Sequence, residues 1–90
     1  MATDQTRLSR ALSAVLTGYY VRRRMTQETL AKMTGMSPVT VQKKLDGKAP
    51  ITATDLVLLA GAIGVDVGEV TDEAMKDLER IEMQNSSVYR

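Results

Sequence analysis

The stretch LAKMTGMSPVTVQKKLDG, residues 30–47, constrains the fold more than any other part of the chain. Gly35 separates two short runs, and neither run is long enough to be a stable helix alone in water. Because glycine adopts left-handed backbone angles easily, Gly35 is suited to end the first run as a helix. Ser37 is a preferred N-cap for the run after Gly35, and Pro38 fits the first turn of a helix there, where its missing N–H costs nothing. The stretch therefore predicts two short helices that must pack on other helices to be stable.

The segment before Gly35 has apolar residues at helical spacing. The spacing predicts a first helix over residues 4–23, with Thr3 or Asp4 as its N-cap. Thr26 can cap a second helix, and Glu28 in its first turn suits the helix dipole. The residues of the first helix that we expect to face the core are Leu8, Ala11, Leu12, Val15, Leu16 and Tyr19.

Two further helices are predicted after residue 47. Thr52 and Asp55 have the spacing of a capping box, and Gly64 is placed to end a fourth helix. Asp66 and Glu69 repeat the capping-box spacing at the start of a fifth helix. The apolar stripes that we expect on these helices are Leu56, Leu59, Ala60 and Ile63 on the fourth, and Val70, Ala74, Met75, Leu78 and Ile81 on the fifth.

No segment of the sequence alternates between apolar and polar residues as a strand does. A chain of 90 residues is the size of one small domain. The sequence therefore predicts an all-α, five-helix domain over residues 1–83. The last residues, 84–90, have no helical period, and we expect them to form a flexible tail.

The chain contains no Cys and no His. Disulfides, thiolate nucleophiles, imidazole acid–base chemistry and most zinc and haem sites are therefore excluded. We expect no enzyme activity, no metal, no cofactor and no small-molecule ligand. The longest apolar run, residues 56–65, is about half the length of a membrane span, and the N-terminus lacks the apolar core of a signal peptide. We therefore expect a cytoplasmic protein with no membrane contact.

Charge is distributed unevenly along the chain. Residues 1–50 hold nine basic and three acidic residues, a net charge of +6. Residues 51–90 hold three basic and eight acidic residues, a net charge of −5. A chain with this polarity has one region that attracts polyanions such as nucleic acid.

The third predicted helix, residues 38–46, has a polar and cationic outer face. Val41 and Leu45 lie four residues apart and define its buried side. At about 100° per residue, Val39 and Lys43 point in nearly the opposite direction. Methyl groups, amides and ammonium groups are what base edges in a DNA major groove require. The residues that we expect to read bases are Val39, Thr40, Gln42, Lys43 and Lys44.

Residues 25–70 resemble the Cro and lambda-repressor type, or XRE-like, helix-turn-helix domain, including phage immunity repressors. With the first helix, the resemblance covers residues 8–70. One departure from the family pattern is that many members have an apolar residue where Lys44 stands, and here the apolar residue is displaced to Leu45. The matching positions are Thr26-Gln27, Leu30-Ala31, Gly35-Met36-Ser37, Val41, Gly47-Lys48, Leu56 and Gly64-Val65.

The resemblance implies a helix-turn-helix over residues 26–46 and double-stranded DNA as the partner. It implies a transcriptional regulator, most specifically a phage immunity repressor or Cro-like repressor that inserts helix 38–46 in the major groove. The short chain fits this role, since no effector-binding or enzymatic domain is expected beside the motif. The residues that we expect to contact DNA phosphates are Arg22, Arg23, Arg24, Gln27, Ser37 and Lys48.

Three further hypotheses concern partners. Members of this family often pair two recognition helices across a two-fold axis, and a homodimer could form through residues 70–81. An antitoxin of a toxin–antitoxin pair would use the same DNA-binding face and bind a toxin on the acidic C-terminal helix. A protein-interaction adaptor would use the same fold without DNA. Co-purification of a small toxin would favour the antitoxin, and DNA binding that does not respond to salt would favour the adaptor.

Overall fold

A computed structural model of the protein describes the backbone of residues 4–88 and the side chains of residues 6–80. The predicted N-cap Thr3 lies outside these residues. The described backbone contains no strand, which confirms the predicted all-α class, and none of its helices is long and apolar enough to cross a membrane. Its five helices are α1 (Asp4–Arg22), α2 (Gln27–Thr34), α3 (Pro38–Leu45), α4 (Ala53–Ile63) and α5 (Val67–Val88).

The predicted caps set the helix boundaries. The hydroxyl of Thr26 accepts a hydrogen bond from a backbone N–H in the first turn of α2, at 3.1 Å. Thr52 and Asp55 form the reciprocal capping box at the start of α4. Gly35 and Gly64, which end α2 and α4, have φ angles of 77° and 86° in the left-handed region that favours glycine. The backbone therefore turns sharply at these two glycines, and α2 and α3 are held as a pair.

One apolar core draws side chains from all five helices. Ala31 of α2 is a small core residue at 4% exposure, and α2 packs against α3. Burial of a Leu or Val side chain stabilises a fold by about 1.5–3 kcal/mol. The two short helices are therefore stable because they pack on each other, α2 also packs on α4, and α3 also packs on α1. The largest fully buried side chains, one from each helix, are Leu16, Leu30, Val41, Leu59 and Val70.

The two adjacent tyrosines of α1 differ from expectation. Tyr20 is the more deeply buried, at 8% exposure, because it lies four residues after Leu16 and continues the buried stripe. Tyr19 packs at the edge of the core and donates a hydrogen bond of 2.7 Å to the carboxylate of Glu73 on α5. That hydrogen bond raises the pKa of Tyr19. Tyr19 therefore joins α1 to α5 at the surface.

Helix α5 is longer than the sequence predicted and only partly available to a partner. Its backbone is helical to Val88, whereas we expected a flexible tail from residue 84. Val70 and Ala74 are fully buried in the core, while Met75 is 48% exposed and Leu78 is half-buried. The side chain of Ile81, the last residue of the predicted stripe, lies outside the described residues. The first part of the stripe is therefore core of the protomer.

Candidate nucleic-acid interface

Helix α3 exposes three of the five residues predicted for its outer face, Val39, Gln42 and Lys43. Val41 and Leu45 are buried at 0% and 4% exposure, and Val39 on the other side is 58% exposed. Gln42 and Lys43 are also exposed. Within residues 6–80, the side chains of Gln42 and Lys43 have no hydrogen-bond or ion-pair partner. Their donors and acceptors are therefore available to a molecule that lies along α3.

Ser37 and Thr40 are occupied with each other at the start of α3. The hydroxyl of Ser37 accepts a hydrogen bond from the backbone N–H of Thr40 at 3.2 Å, which makes Ser37 the N-cap. The two hydroxyl oxygens lie 2.8 Å apart. A phosphate contact by Ser37 or a base contact by the hydroxyl of Thr40 would therefore compete with this local pair.

The structure corrects the predicted outward orientation of Lys44. Its ammonium group forms an ion pair with the carboxylate of Asp55 on α4 and donates a hydrogen bond of 3.1 Å to the carbonyl of Pro50. The side chains of Lys44 and Asp55 are only 16% and 13% exposed. The reason is that Lys44 lies three residues after Val41, so both residues share one side of the helix. Lys44 therefore fastens α3 to α4 and does not share the outer face with Lys43.

The Asp55 carboxylate is ionised at neutral pH. Burial alone would raise its pKa, but hydrogen bonds from Lys44 and Thr52 have the larger combined effect and hold the pKa below its ordinary value. The carboxylate also caps α4 by accepting the backbone N–H of Thr52 at 3.0 Å. One side chain thus serves both the start of α4 and the end of α3.

The turn that ends α3 places Lys48 beside it. Gly47 has a φ of 77°, and its N–H donates to the carbonyl of Lys44 at 3.3 Å. The N–H of Lys48 donates to the carbonyl of Lys43 at 2.8 Å. These two hydrogen bonds form a Schellman motif. The exposed Lys48 side chain therefore lies directly after the exposed face of α3.

Two hydroxyl groups of α1 also donate hydrogen bonds to carbonyls at the end of α3. Ser13 donates to the carbonyl of Lys44 at 2.6 Å, and Thr17 donates to the carbonyl of Leu45 at 3.3 Å. The last carbonyls of a helix have no partner within the helix, so these contacts satisfy them and fix the direction of α3. Neither residue was predicted from the sequence. Their signal was two hydroxyl residues four apart beside the buried stripe of α1.

Gln27 is held by a tyrosine that the sequence analysis did not identify. Its side-chain amide donates to the phenol oxygen of Tyr20 at 3.1 Å and lies 3.5 Å from the carboxylate of Asp46. Gln27 is half-buried at the start of α2. The predicted phosphate-binding Gln27 therefore has a fixed position between α2 and the end of α3.

Arg22 and Arg23 make contacts within the protomer. Arg23 donates a hydrogen bond of 2.6 Å to the carbonyl of Ile63, the last residue of α4. Arg22 donates to the carbonyl of Gly18 at 3.1 Å, and its guanidinium lies 4.8 Å from the ring centre of Tyr19. Cations near the C-terminus of a helix stabilise it through the helix dipole. Arg23 stabilises α4 in this way.

Arg24 differs from its two neighbours. It is the only described residue other than glycine with a positive φ, at 57°. Left-handed backbone angles cost a residue with a side chain about 1–2 kcal/mol. Arg24 is exposed, and its guanidinium has no partner within residues 6–80. Of the three adjacent arginines, Arg24 is the one whose side chain is free to contact a ligand.

The Helix-turn-helix family HTH_3 matches residues 19–70. No curated protein matches the chain. The clp gene regulator ClgR from Corynebacterium glutamicum has a similar solved structure, with a TM-score of 0.73, 26% sequence identity, and coverage of 78% of this chain and 91% of that one. A second ClgR structure has a TM-score of 0.79 at 23% identity, covering 91% and 87% of the two chains.

A mutant of the restriction-modification controller protein C.Esp1396I also has a similar solved structure. Its TM-score is 0.74 at 19% identity, and the match covers 87% of this chain and 95% of that one. The family match contains the whole α2–α3 pair and extends over more than half of the chain. The chain therefore belongs to the Cro/C1-type helix-turn-helix family of DNA-binding transcriptional regulators.

Proposed function

We propose that the protein regulates transcription by inserting α3 into the major groove of a specific double-stranded DNA site. The observation that carries this proposal is the outer face of α3, where Gln42 and Lys43 are exposed and have no partner within residues 6–80. Lysine suits the acceptors of guanine, glutamine suits adenine, and the methyl groups of Val39 suit thymine. These three residues would read sequence.

The remaining predicted contacts divide by what the structure leaves free. Arg24 and Lys48 are exposed cations without partners among the described side chains, and we propose them as the main phosphate contacts. Gln27 would add a contact from its fixed position at the start of α2. Thr40 would contribute its methyl group to base contacts. The residues that would act through position or add smaller phosphate contacts are Arg22, Arg23, Ser37 and Lys44.

A selection experiment followed by a salt titration tests this function. The full chain is incubated with a pool of random-sequence duplexes, and a duplex that survives several rounds is compared with its scrambled version. We expect a clear preference for the selected duplex and a log–log salt slope of about −0.9 for each phosphate contacted. A salt slope near zero, or equal affinity for both duplexes, would contradict the proposal.

We further propose that the regulation is repression, of the kind exerted by phage immunity or Cro-like repressors. The support is the resemblance of residues 25–70 to those proteins. The test is a reporter gene placed behind the DNA that flanks the protein's own gene. Expression should fall when the protein is supplied and recover with the Lys43→Ala variant. A rise in expression would show activation instead.

We also propose that two copies pair through the part of the α5 stripe that the core does not use. Met75 is 48% exposed and Leu78 is half-buried, so both could pack on a second copy. A two-fold dimer would present two α3 helices about 34 Å apart, one helical turn of DNA. Met75→Glu should lower the sedimentation mass, and Met33→Glu, at a more exposed methionine on α2, should not. Equal masses for the wild type and both variants at the monomer value would contradict dimerisation.

A further inference from the structure

One further exposed cation, Arg10 on α1, lies outside the residues assigned above. A cleft opens between α1 and the loop that joins α3 to α4. We infer that Arg10 and Lys48 form the two sides of this cleft to hold one phosphate of the DNA backbone, next to the groove that α3 enters. The inference rests on the proposed function and adds α1 to the DNA-binding surface. The residues that line the cleft are Thr6, Ser9, Arg10, Gly47, Lys48 and Pro50.

The lining of the cleft is suited to an anion. It includes two cations and no acidic side chain, and its volume of about 490 Å³ admits a phosphodiester group. Arg10 and Lys48 are both exposed and have no hydrogen-bond or ion-pair partner within residues 6–80. Other cations of this half of the chain, such as Lys44 and Arg23, are used within the protomer. Asp46, the acidic residue nearest in sequence, does not line this cleft but lines the adjacent one, which also includes Arg10.

Two serine side chains of α1 hold the segment around Arg10 against the loop. Ser9 accepts the N–H of Ile51 at 3.1 Å, and Ser13 donates to the carbonyl of Lys44 at 2.6 Å. Arg10 lies between these two serines on α1, so its backbone is fixed to both ends of the loop. A Cβ atom at Gly47 would lie 3.7 Å from Cγ of Arg10, so the stem of the arginine rests against the glycine.

The cleft is continuous with the recognition helix. The backbone N–H of Lys48 donates to the carbonyl of Lys43 at 2.8 Å. The side of the cleft that Lys48 forms is therefore next to Lys43, the residue proposed to read bases. A DNA strand that borders the groove beside Lys43 would pass this point. Arginine binds phosphate through two parallel hydrogen bonds, and a lysine opposite supplies a second charge. The predicted result is one phosphate held from both sides.

The test uses the full chain, the selected duplex and a random-sequence duplex. Arg10→Gln removes the charge at an exposed position. We expect the affinity for both duplexes to fall by the same factor, about three- to tenfold, and the salt slope to flatten by about 0.9. Arg10→Lys should restore the slope because it restores the charge. The matched control is Lys76→Gln on α5, an exposed cation without a partner within residues 6–80, and we expect it to leave the slope unchanged.

A neutral methylphosphonate placed at single positions in the selected duplex locates the contact. At one position it should weaken the wild type as much as Arg10→Gln does, and it should not weaken the Arg10→Gln variant further. An Arg10→Gln slope equal to that of a salt-sensitive wild type would overturn the inference and leave the role of α3 intact. Failure of Arg10→Lys to restore the slope would also overturn it. A wild type without salt dependence would instead overturn the proposed function.

Discussion

Helix α3 and the arginine turn, residues 22–24 at the end of α1, are both rich in cations. The two regions differ in what determines whether a cation is paired within the protomer or left free. On α3, Lys43 is exposed and free, while its neighbour Lys44 is paired with Asp55. In the turn, Arg23 is bound to the end of α4, while its neighbour Arg24 is free. Each region therefore has one cation that is paired within the protomer, next to one that is free to contact a ligand.

The difference lies in what decides the outcome. On α3 the helical rotation places Lys43 opposite Val41 and Lys44 beside it, so position in the helix determines the role. The turn has no helical period that could decide the role of a residue. Arg23 is paired because it donates a hydrogen bond to a carbonyl 40 residues away in the sequence. Helical position can be inferred from sequence, but a distant acceptor cannot.

The largest expected effect is on stability at α3. Lys44→Ala leaves the mostly buried carboxylate of Asp55 without its cation, and we expect a loss of about 1–3 kcal/mol in the free energy of unfolding. Lys43→Ala is the matched control, since an exposed side chain without a partner should change stability by less than about 0.5 kcal/mol. Urea unfolding measures both. Equal losses in the two variants would abolish the distinction between the two lysines.

A second prediction applies the same comparison to the turn. Arg23→Ala removes the hydrogen bond to the last carbonyl of α4, and we expect a loss of about 1–2 kcal/mol. Arg22→Ala removes only an exposed contact with its own helix and should cost less than about 0.5 kcal/mol. Thermal unfolding of the two variants gives the comparison. A larger loss of stability in Arg22→Ala than in Arg23→Ala would contradict the structure of the turn.

A third prediction separates stability from binding at Arg24. Glycine accepts the positive φ that arginine adopts at a cost, so Arg24→Gly should raise the free energy of unfolding by up to about 1 kcal/mol. The same change removes a proposed phosphate contact and should flatten the salt slope by about 0.9. A more stable protein that binds DNA less well is the expected result. Unchanged DNA binding would show that Arg24 has no part in the interface.

The helix boundaries and most of the core could be predicted from the sequence because they depend on local rules. A cap such as Ser37 or Thr52 acts within three residues, and the α4 stripe follows one helical period. The exposure of Val39, Gln42 and Lys43 on α3 was predictable for the same reason, through the buried pair Val41 and Leu45, but the outward orientation predicted for Lys44 was wrong.

The missed residues depend on partners in other helices. Ser13 and Thr17 bind carbonyls about thirty residues away, and the sequence does not reveal that those carbonyls are near. Tyr19 was predicted to face the core because it lies four residues after Val15, whereas Tyr20 lies four residues after Leu16, the more deeply buried of the two. The extension of α5 to Val88 was missed because its last residues are polar and lack a period.

The smallest expected effect is a pH dependence. The pKa of Asp55 is below its ordinary value in the folded protein because Lys44 and Thr52 donate hydrogen bonds to the charged form. Its contribution to stability is therefore complete above the ordinary carboxylate range and is lost as the pH falls through the lowered pKa. Asp55→Asn should remove this part of the acid sensitivity, while Asp72→Asn, at an exposed carboxylate of α5, should not. Identical acid unfolding of the wild type and the Asp55→Asn variant would contradict it.

The central claim is that the outer face of α3 reads DNA sequence. Competition titration of Lys43→Ala on the selected and scrambled duplexes tests it most directly. We expect the affinity for the selected duplex to fall by about 1–3 kcal/mol, the preference at one or two base pairs to relax, and the affinity for the scrambled duplex to change little. An equal loss on both duplexes would make Lys43 a phosphate contact, and it would contradict the insertion of this face of α3 into the groove.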